Sequence, residues 1–472
     1  MRGRFLVPGF TDSHLHLVAY AIAQSRLHLD GLDEEQIRHI IGNTAGRLAP
    51  GQWIRGRGWE AAHRKKGGFP DRMEIDDVTL QHPTALFSKD GHSLWLNSAA
   101  LGVLQLTHDV TDPPGGRYER RLDGSLTGLM RETAADVVRN LLPAVTDTEK
   151  RHLLQEAFPR LHAQGIIAVH SFEGLDEFEL LCDMDDCGDL PLKVTAYVNL
   201  EDFDRALAIG VVRGTGSPRV NIGGLKLYAD GALGSRTASV FVPYSDDPVN
   251  VGMDVMDAKN LRIEAVRAAE HGLPTAIHAI GDRAVRYALD ALIAARETAP
   301  NIPGMRIEHL QLVQPVDLPR FAASGITASI QPCHLISDMA MARTYWANQT
   351  GLLYPYGSIV ASGAHYVMGS DAPIDRENPL HNISCAVSRR RTTNSGCEAA
   401  WIPEECMTAV SALRGCTIFP ADLEFRRRGR IAPGYPADYV VLDTDPLAPN
   451  AFEPGQLQIM TTVLDGDIVF SA

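Results

Sequence analysis

Phe10-Thr-Asp-Ser-His-Leu-His-Leu17 is an apolar stretch that carries two histidines near the start of a 472-residue chain. In a β-strand, residues i and i+2 project from the same face, so His14 and His16 are predicted to point the same way. Two imidazoles at the carboxyl end of a barrel strand can bind one metal ion. The pair alone does not define a metal site, because the chain contains 17 histidines.

Short apolar segments like this one recur along the chain and alternate with longer segments of helical periodicity. Such alternation is typical of parallel strands joined by crossover helices. Eight units of this kind predict an α/β fold, a (β/α)8 TIM barrel. The eight candidate strands are Gly9–Leu17, Gly165–Ser171, Leu192–Asn199, Asn221–Ala229, Leu273–His278, Met305–Leu310, Ile326–Gln331 and Ala364–Gly369.

Two regions depart from this alternation, so the chain is divided into a barrel over residues 9–425 and additions to it. Residues 18–145 are predicted to form a lid-like folded insertion after the first strand, because structureless loops of that length are rare. Residues 426–472 contain a predicted hairpin around Asp465-Gly466. Together with residues 1–8 they are expected to form a small, incomplete β-sandwich. Its unpaired strand edges favour pairing with a second copy, which predicts a homodimer.

The composition excludes several classes of partner. The net charge is −14, and the one arginine cluster, Arg426-Arg427-Arg428, is too short to follow a phosphate backbone, so no nucleic acid is expected. No apolar run is long enough to cross a membrane, and no signal peptide opens the chain. Seven cysteines without a CxxC pair fit reduced thiols and a cytoplasmic location.

Further ionisable residues lie at or near the ends of the predicted strands. They are Lys226, His278, His309 and Asp371. A buried lysine or aspartate without a partner is costly, and each histidine alone could be an ordinary core residue. Because the carboxyl ends of barrel strands meet at one mouth, the economical interpretation is that these residues converge there with His14 and His16.

In these residues and their surroundings the chain resembles the amidohydrolase superfamily, specifically the branch of YtcJ-like hydrolases and N-substituted formamide deformylase (amidohydrolase family 3). The resemblance covers nearly the whole chain. The motifs that carry it are Pro8-Gly-Phe-Thr-Asp-Ser-His-Leu-His16, Asp90-Gly-His-Ser-Leu-Trp-Leu-Asn-Ser98, Lys226-Leu-Tyr-Ala-Asp-Gly-Ala-Leu-Gly-Ser235, His278-Ala-Ile-Gly-Asp-Arg283, Glu308-His-Leu-Gln311, Gly369-Ser-Asp-Ala-Pro373 and Ala437-Asp-Tyr-Val-Val-Leu442.

The resemblance implies a site for one or two divalent metals. His14, His16 and Asp371 would bind the first, and His278 and His309 the second. Lys226 would bridge them as an N-carboxylated lysine, since a free ammonium group cannot bind a metal. A single metal beside an unmodified Lys226 is the alternative. Ligation by nitrogen and oxygen suits zinc, while manganese, iron and cobalt are chemically possible.

The implied reaction is hydrolysis by metal-activated water, with Asp371 as the catalytic residue that moves the proton. Asp90 and His92 lie in the insertion and would reach the substrate, although Asp-Gly is also a common turn. Arg236 could bind a substrate carboxylate. The full set of predicted substrate-binding residues is Asp90, His92, Tyr228, Asp230, Arg236, Asp282 and His334.

The expected activity is hydrolysis of a non-peptide carbon–nitrogen bond of a small molecule: an amide, a formamide or a cyclic amide. The same site could serve deaminase- or esterase-like hydrolysis. A different class is a catalytically silent barrel with a regulatory or binding role, and some members of the family carry regulatory labels. Retention of all six candidate ligands favours an enzyme.

Overall fold

The computed structural model describes residues 4–89, 91–393, 396–424, 426–453 and 455–472. These residues form two compact units. One comprises Met1–Tyr20 and Leu154–Ala472, and the other, Ala21–Leu153, is the insertion after the first barrel strand. Among the described residues, no helix has both the length and the apolar character needed to span a bilayer.

An eight-stranded parallel sheet forms the centre of the first unit. Each strand pairs with the next one along the chain, and the first and last meet through a parallel bridge between Leu15 and Ala372. The predicted (β/α)8 barrel is therefore confirmed. Its strands are Phe10–Leu15, Ile166–Phe172, Lys193–Asn199, Val220–Tyr228, Thr275–Ala279, Arg306–His309, Thr327–Ile330 and Tyr366–Met368.

Helices follow the barrel strands and bury one face against them. Asp282–Thr298 shows why they form: its buried residues, many of them alanine and leucine, recur every three or four positions. The larger helices are Asp147–Ala163, Leu175–Asp186, Ala258–Glu270, Asp282–Thr298, Pro332–Tyr345 and Pro379–Ser388, and the shorter ones are Leu17–Gln24, Phe203–Ala208, Leu318–Ser324, Tyr356–Ala361, Ala409–Gly415 and Ile418–Glu424.

The chain ends form a second, antiparallel sheet on the barrel. Its strands, in spatial order, are Phe5–Pro8, Tyr439–Leu442, Ile459–Leu464 and Asp467–Ser471. The turn at Asp465-Gly466 has positive φ at both residues, as tight hairpins require. Phe5, Leu6 and Ile468 are exposed in this sheet. The homodimer stays a prediction.

The insertion has a sheet and a core of its own. Apolar clusters cover both faces: Leu94 and Leu96 belong to one cluster, and Trp95 belongs to the other. This alternation is that of a strand buried on both sides. The sheet order is Leu27–His28, Ile54–Trp59, Thr84–Ser88, Ser93–Leu96, Leu126–Glu132 and Gly116–Arg120, and the helices are Glu34–Ala45, Asp76–Thr79, Ser98–Val103 and Thr133–Leu141.

Candidate metal centre

Four histidines and one aspartate converge at the carboxyl ends of the barrel strands. Nε2 of His14 and Nε2 of His16 lie 3.4 Å and 3.3 Å from Oδ1 of Asp371. On the other side, Nε2 of His334 lies 3.6 Å from Oδ2 of the same carboxylate. Two groups of potential ligands therefore share Asp371: His14 and His16 complete one, and His309 and His334 the other, with the ligand atoms of each group within 4.8 Å of one another.

His278 and Lys226 border the same cluster. The imidazole centroid of His278 lies 4.5 Å from that of His309, which in turn lies 5.0 Å from that of His14. The Nζ atom of Lys226 lies over the ring of Phe172, 4.5 Å from its centroid. All six residues that the sequence suggested as ligands thus lie at one barrel mouth, but His278 and Lys226 are outside the two groups whose ligand atoms are close together. Nε2 of His278 lies 2.9 Å from the carbonyl oxygen of Gly231, which leaves Nδ1 as its possible ligand atom. The structure adds His334, which the sequence suggested as a substrate contact.

Three polar atoms in this cluster are buried without a hydrogen-bond partner among the described residues: Nζ of Lys226, Nδ1 of His309 and Nε2 of His334. Leaving a buried donor or acceptor unpaired costs about 1–3 kcal/mol, so three such atoms at one place need an explanation. Nitrogen and oxygen atoms gathered in this way are the ligands that zinc and similar divalent metals use. The residues present therefore fit a metal centre.

The charge states of His14, His278 and Asp371 suit metal binding, whereas, against the effect of burial, the hydrogen bond to the Asp371 carboxylate raises the pKa of His16 above its usual value. Burial and the Lys226 ammonium lower the pKa values of His14 and His278 to about 4, so both imidazoles are neutral at pH 7. Burial alone would raise the pKa of Asp371, but the surrounding imidazoles outweigh it and hold this pKa below its usual value. Burial lowers the pKa of Lys226 to about 8. Neutral imidazoles and an ionised carboxylate are the forms that bind metals.

The backbone is strained at two of these positions. His309 has φ of 77° and Asp371 has φ of 62°, values that non-glycine residues adopt only at a cost. At Asp371 the surroundings support the strained turn, because the backbone N–H of Asp371 donates to the carbonyl of His14 at 2.6 Å. A hydrogen bond between the first strand and the turn after the last strand thus fixes the carboxylate beside the two imidazoles.

A buried ion pair between Arg306 and Glu308 orients the imidazole of His14. Oε2 of Glu308 lies 2.7 Å from Nδ1 of His14, and the Arg306 guanidinium binds both oxygens of Glu308. All three side chains are inaccessible to solvent. A carboxylate at Nδ1 selects the tautomer with the proton on that nitrogen, which leaves the Nε2 lone pair free for a metal.

The same network continues through the barrel interior. Arg306 also contacts Nδ1 of His170 at 2.7 Å, and Nε2 of His170 lies 2.6 Å from Oε1 of Glu424, which pairs with Arg428. Sequence reasoning did not single out Arg306 or Glu308. Two opposite charges two residues apart in a predicted buried strand were the available signal, since that spacing places both on one face.

His16 is oriented by backbone instead of by a carboxylate. Its Nδ1 lies 2.6 Å from the carbonyl oxygen of Phe172, the last residue of the second barrel strand. The ring of Phe172 also stacks on His14, with centroids 4.3 Å apart. Phe172 therefore positions both histidines of the first strand, and its apolar character gave no sign of this in the sequence.

Comparison with known proteins agrees with this geometry. The model of the family described as "Amidohydrolase family" matches residues 1–470. The chain belongs to the amidohydrolase family. Putative amidohydrolase YtcJ of Bacillus subtilis is 29% identical over 490 aligned residues, covering 100% of this chain and 90% of the relative. N-substituted formamide deformylase of Arthrobacter pascens is 28% identical, covering 98% of this chain and 88% of the relative.

A solved structure of a metal-dependent hydrolase has the same fold as this chain. An uncharacterized metal-dependent hydrolase from Pyrococcus furiosus superposes with a TM-score of 0.79 at 27% identity, covering 95% of this chain and 89% of that one. The family and this neighbour identify the chain as a metal-dependent hydrolase. The resemblance inferred from the motifs is confirmed.

The residues that the sequence suggested for substrate binding have different surroundings in this amidohydrolase. Tyr228 is 39% exposed beside His278, so its ring is available to a ligand. The Asp230 carboxylate is buried and accepts the backbone N–H groups of Ser239, Ile280 and Gly281, and burial raises its pKa to about 7. Its hydrogen bonds hold loops in place, and substrate contact by Asp230 stays a prediction.

Asp282 and Arg236 are likewise engaged within the protein. Asp282 is fully buried and accepts the N–H of Phe241 and the side-chain amide of Gln314. Arg236 pairs with Asp246 at 2.5 Å. Substrate contact by Asp282 and Arg236 stays a prediction.

Two further predicted substrate contacts belong to the insertion. Nδ1 of His92 lies 3.1 Å from Oε2 of Glu132. Asp90 lies outside the described residues. Substrate contact by these two residues stays a prediction.

Proposed function

We propose that this amidohydrolase cleaves the carbon–nitrogen bond of a small amide, formamide or cyclic amide, with zinc as its metal. The observation that supports the proposal most directly is the pair of ligand groups that share Asp371: His14 and His16 on one side, and His309 and His334 on the other. Two neighbouring groups of nitrogen and oxygen atoms suit one or two zinc ions.

His14, His16 and Asp371 would hold the first zinc, and His278 and His309 the second. When bound, zinc activates a water molecule as the nucleophile and polarises the carbonyl that is attacked. His334 also lies within ligand distance of His309 and Asp371, so it is a further candidate ligand of the second zinc. With a single zinc in the site, His334 would be available to the substrate.

Lys226 would join the two positions as a carbamate. Its Nζ, as a neutral amine, would attack the carbon of carbon dioxide. The new C–N bond would form as one C=O π bond opens onto its oxygen, and the proton on nitrogen would pass to water. The product carries two oxygens and a negative charge, which an ammonium group cannot offer to a metal. The burial of Nζ and its lack of a hydrogen-bond partner among the described residues support this role.

Asp371 would move the proton. Its carboxylate is ionised at neutral pH and can accept a proton from the attacking water at one oxygen. It can then deliver that proton to the departing nitrogen, so that an amine leaves instead of an amide anion. Glu308 and the Phe172 carbonyl keep the two imidazoles beside it in fixed orientations.

The substrate class rests on the relatives and on the surroundings of the site. One relative is named for N-substituted formamides. The half-exposed ring of Tyr228 and the buried ring of Phe172 both lie beside Lys226. The exposed aromatic face of Tyr228 suits the apolar group of an N-substituted amide.

The test is a panel of N-formyl, N-acyl, lactam, ester and amino-heterocycle substrates with zinc-loaded protein, in which acid, amine and ammonia are quantified. The proposal predicts amine release from an amide or formamide. Turnover of esters alone, or release of ammonia from the amino-heterocycles alone, would replace it with the esterase or deaminase alternative. No turnover of any substrate above background would favour a silent barrel.

The variant Asp371→Asn tests the proposed proton transfer by this carboxylate. The amide cannot accept the proton, so turnover should fall by about 10²–10⁴-fold while the circular dichroism spectrum stays unchanged. Asp467→Asn makes the same chemical change at an exposed position of the terminal sheet and should keep full activity. Activity of Asp371→Asn within a few-fold of wild type would refute the role of this carboxylate.

A further inference from the structure

The insertion contains a recess lined with positive charge. It encloses about 470 Å³ between the strands Ile54–Trp59 and Thr84–Ser88 and the end of the helix Thr133–Leu141. Five cationic side chains line it: Arg26, Arg55, Arg57, Lys89 and Arg139. None of the described residues that line it is a carboxylate.

The arginines of the recess lie close enough to repel one another. Arg55 and Arg57 are two residues apart on one strand and so share a face. Burial and the Arg57 guanidinium lower the pKa of Arg26, and burial and the Arg26 guanidinium lower that of Arg55. Arginine does not lose its proton in proteins, so a bound anion would reduce this repulsion.

The described residues themselves supply some negative charge. Lys89 pairs with Glu60 at 3.2 Å and with Asp30 at 3.9 Å, and Arg139 pairs with Asp136 at 2.7 Å. Glu149 acts on Arg55 from outside the recess. No ion pair or side-chain hydrogen bond to the rest of the described chain engages Arg26 or Arg57. Within the described part of the chain, these two guanidinium groups therefore have no paired carboxylate.

Other contacts hold part of the recess in a fixed shape. Arg55 donates to the carbonyl of Pro143 at 2.6 Å, and Arg139 donates to the carbonyl of Gly91 at 2.9 Å. The Arg139 guanidinium also lies over the ring of Phe87, 5.0 Å from its centroid. Leu142, Pro143 and Ala144 add an apolar wall. Fixed guanidinium groups beside an apolar wall suit an organic anion, because little side-chain freedom is lost on binding.

We propose that this recess binds a small organic anion that carries a phosphate group or two carboxylates. Guanidinium groups bind both chemistries through paired hydrogen bonds. A dianion is favoured over a monoanion because several guanidinium groups face the same space. The site is separate from the metal-ligand cluster in its residues, and its occupation does not depend on which bond the enzyme cleaves.

Titration calorimetry of the metal-loaded full chain tests this, with inorganic phosphate and succinate as probes and acetate as the monoanionic comparison. We expect saturable binding of phosphate or succinate, tighter than that of acetate, which weakens as sodium chloride is raised. Arg55→Gln/Arg57→Gln should weaken it at least tenfold. Arg47→Gln, a change at an exposed arginine outside the recess, should leave it unchanged.

The single variant Arg57→Gln guards against a folding defect, because Arg57 is exposed and its side chain has no hydrogen-bond or ion-pair partner among the described residues. It should melt like the wild type and weaken binding at least threefold. No saturable binding of either dianion, or equal affinity in wild type and the double variant, would overturn the proposal.

Inhibition kinetics then show whether the anion that binds the recess competes with the substrate or is a separate effector. Competitive inhibition by succinate that is lost in the double variant would identify the bound anion as a competitor of the substrate. Noncompetitive modulation of turnover, lost in the double variant, would identify a separate effector. Both kinetic patterns are consistent with an anion site in the recess. The existence of that site is tested by calorimetry.

Discussion

Asp371 and Glu308 contact opposite nitrogens of His14. Glu308 lies at Nδ1 and Asp371 at Nε2, so the two carboxylates flank the imidazole on opposite sides. Glu308 in turn is neutralised by Arg306, which also donates to the carbonyl of Ser13 at 2.5 Å. A buried ion pair of this kind adds little to the free energy of unfolding. Its role here is to fix the orientation of the His14 imidazole.

Glu308→Gln should therefore weaken the metal without removing a ligand. The amide has no charge to stabilise the Nδ1 proton of His14, so we expect metal affinity to fall by about 10–100-fold. Competition with a chelator measures this independently of activity. Glu270→Gln, at an exposed helix end, should behave as wild type. Unchanged metal affinity in Glu308→Gln would show that the ion pair has only a structural role.

At this scale the sequence predicted the site only in part. Residues at strand ends, such as His278 and His309, could be proposed because the barrel brings those ends together. The hydrogen-bond partners of Asp230 and Asp282 could not be predicted, because their donors come from segments distant in sequence. Strand periodicity contains no information about such partners.

Among the elements, the junction of the first and last barrel strands matters most for the site, since His14 and Asp371 belong to its two sides. Gly369 directly follows the last strand. A Cβ atom there would lie 2.3 Å from the backbone nitrogen of His14 and 2.7 Å from its Cβ. Only glycine allows the two segments to approach so closely.

Gly369→Ala is expected to force this junction apart. Overpacking against backbone atoms should lower the free energy of unfolding by about 1–3 kcal/mol, with loss of metal affinity as Asp371 moves away from His14. Denaturant unfolding and a chelator assay report the two effects. Gly102→Ala, in a helix with open space around the new methyl group, should be neutral or slightly stabilising. An equally stable Gly369→Ala variant would contradict this description of the junction.

The helix before the second strand links the barrel to the terminal sheet. His162 is buried near the end of this helix, and its Nε2 lies 2.8 Å from the carbonyl oxygen of Pro191. The hydroxyl group of Thr462, in the terminal sheet, donates to the backbone carbonyl of His162. Burial lowers the pKa of His162 below the usual 6.5. Unfolding then takes up a proton as the pH falls below 6.5, so the stability that neutral His162 provides above that pH is lost on acidification.

The pH dependence of unfolding tests this. Between pH 7.5 and pH 5.5 the wild type should lose more free energy of unfolding than His162→Asn, which cannot take up the proton. His28→Asn, at an exposed position, should follow the wild type, and the metal-site histidines titrate alike in all three proteins. Parallel curves for wild type and His162→Asn would mean that His162 is protonated equally in both states.

For the whole molecule, the barrel was predictable and the internal structure of the insertion was not. Barrel strands follow each other in sequence and in space, so a count of alternating segments was sufficient. In the insertion, Ser93–Leu96 pairs with Leu126–Glu132 across an intervening helix and strand, and one strand is only two residues long. Pairing at that distance is decided by packing of the two apolar clusters, which local periodicity does not reveal.

Metal content of the purified full chain tests the central claim most directly. The account predicts one or two tightly bound divalent ions per chain, with zinc preferred, and a loss of at least one of them in His14→Asn/His16→Asn while the secondary structure persists. Less than one tightly bound ion in the wild type after zinc loading, or equal metal content in wild type and the double variant, would contradict it.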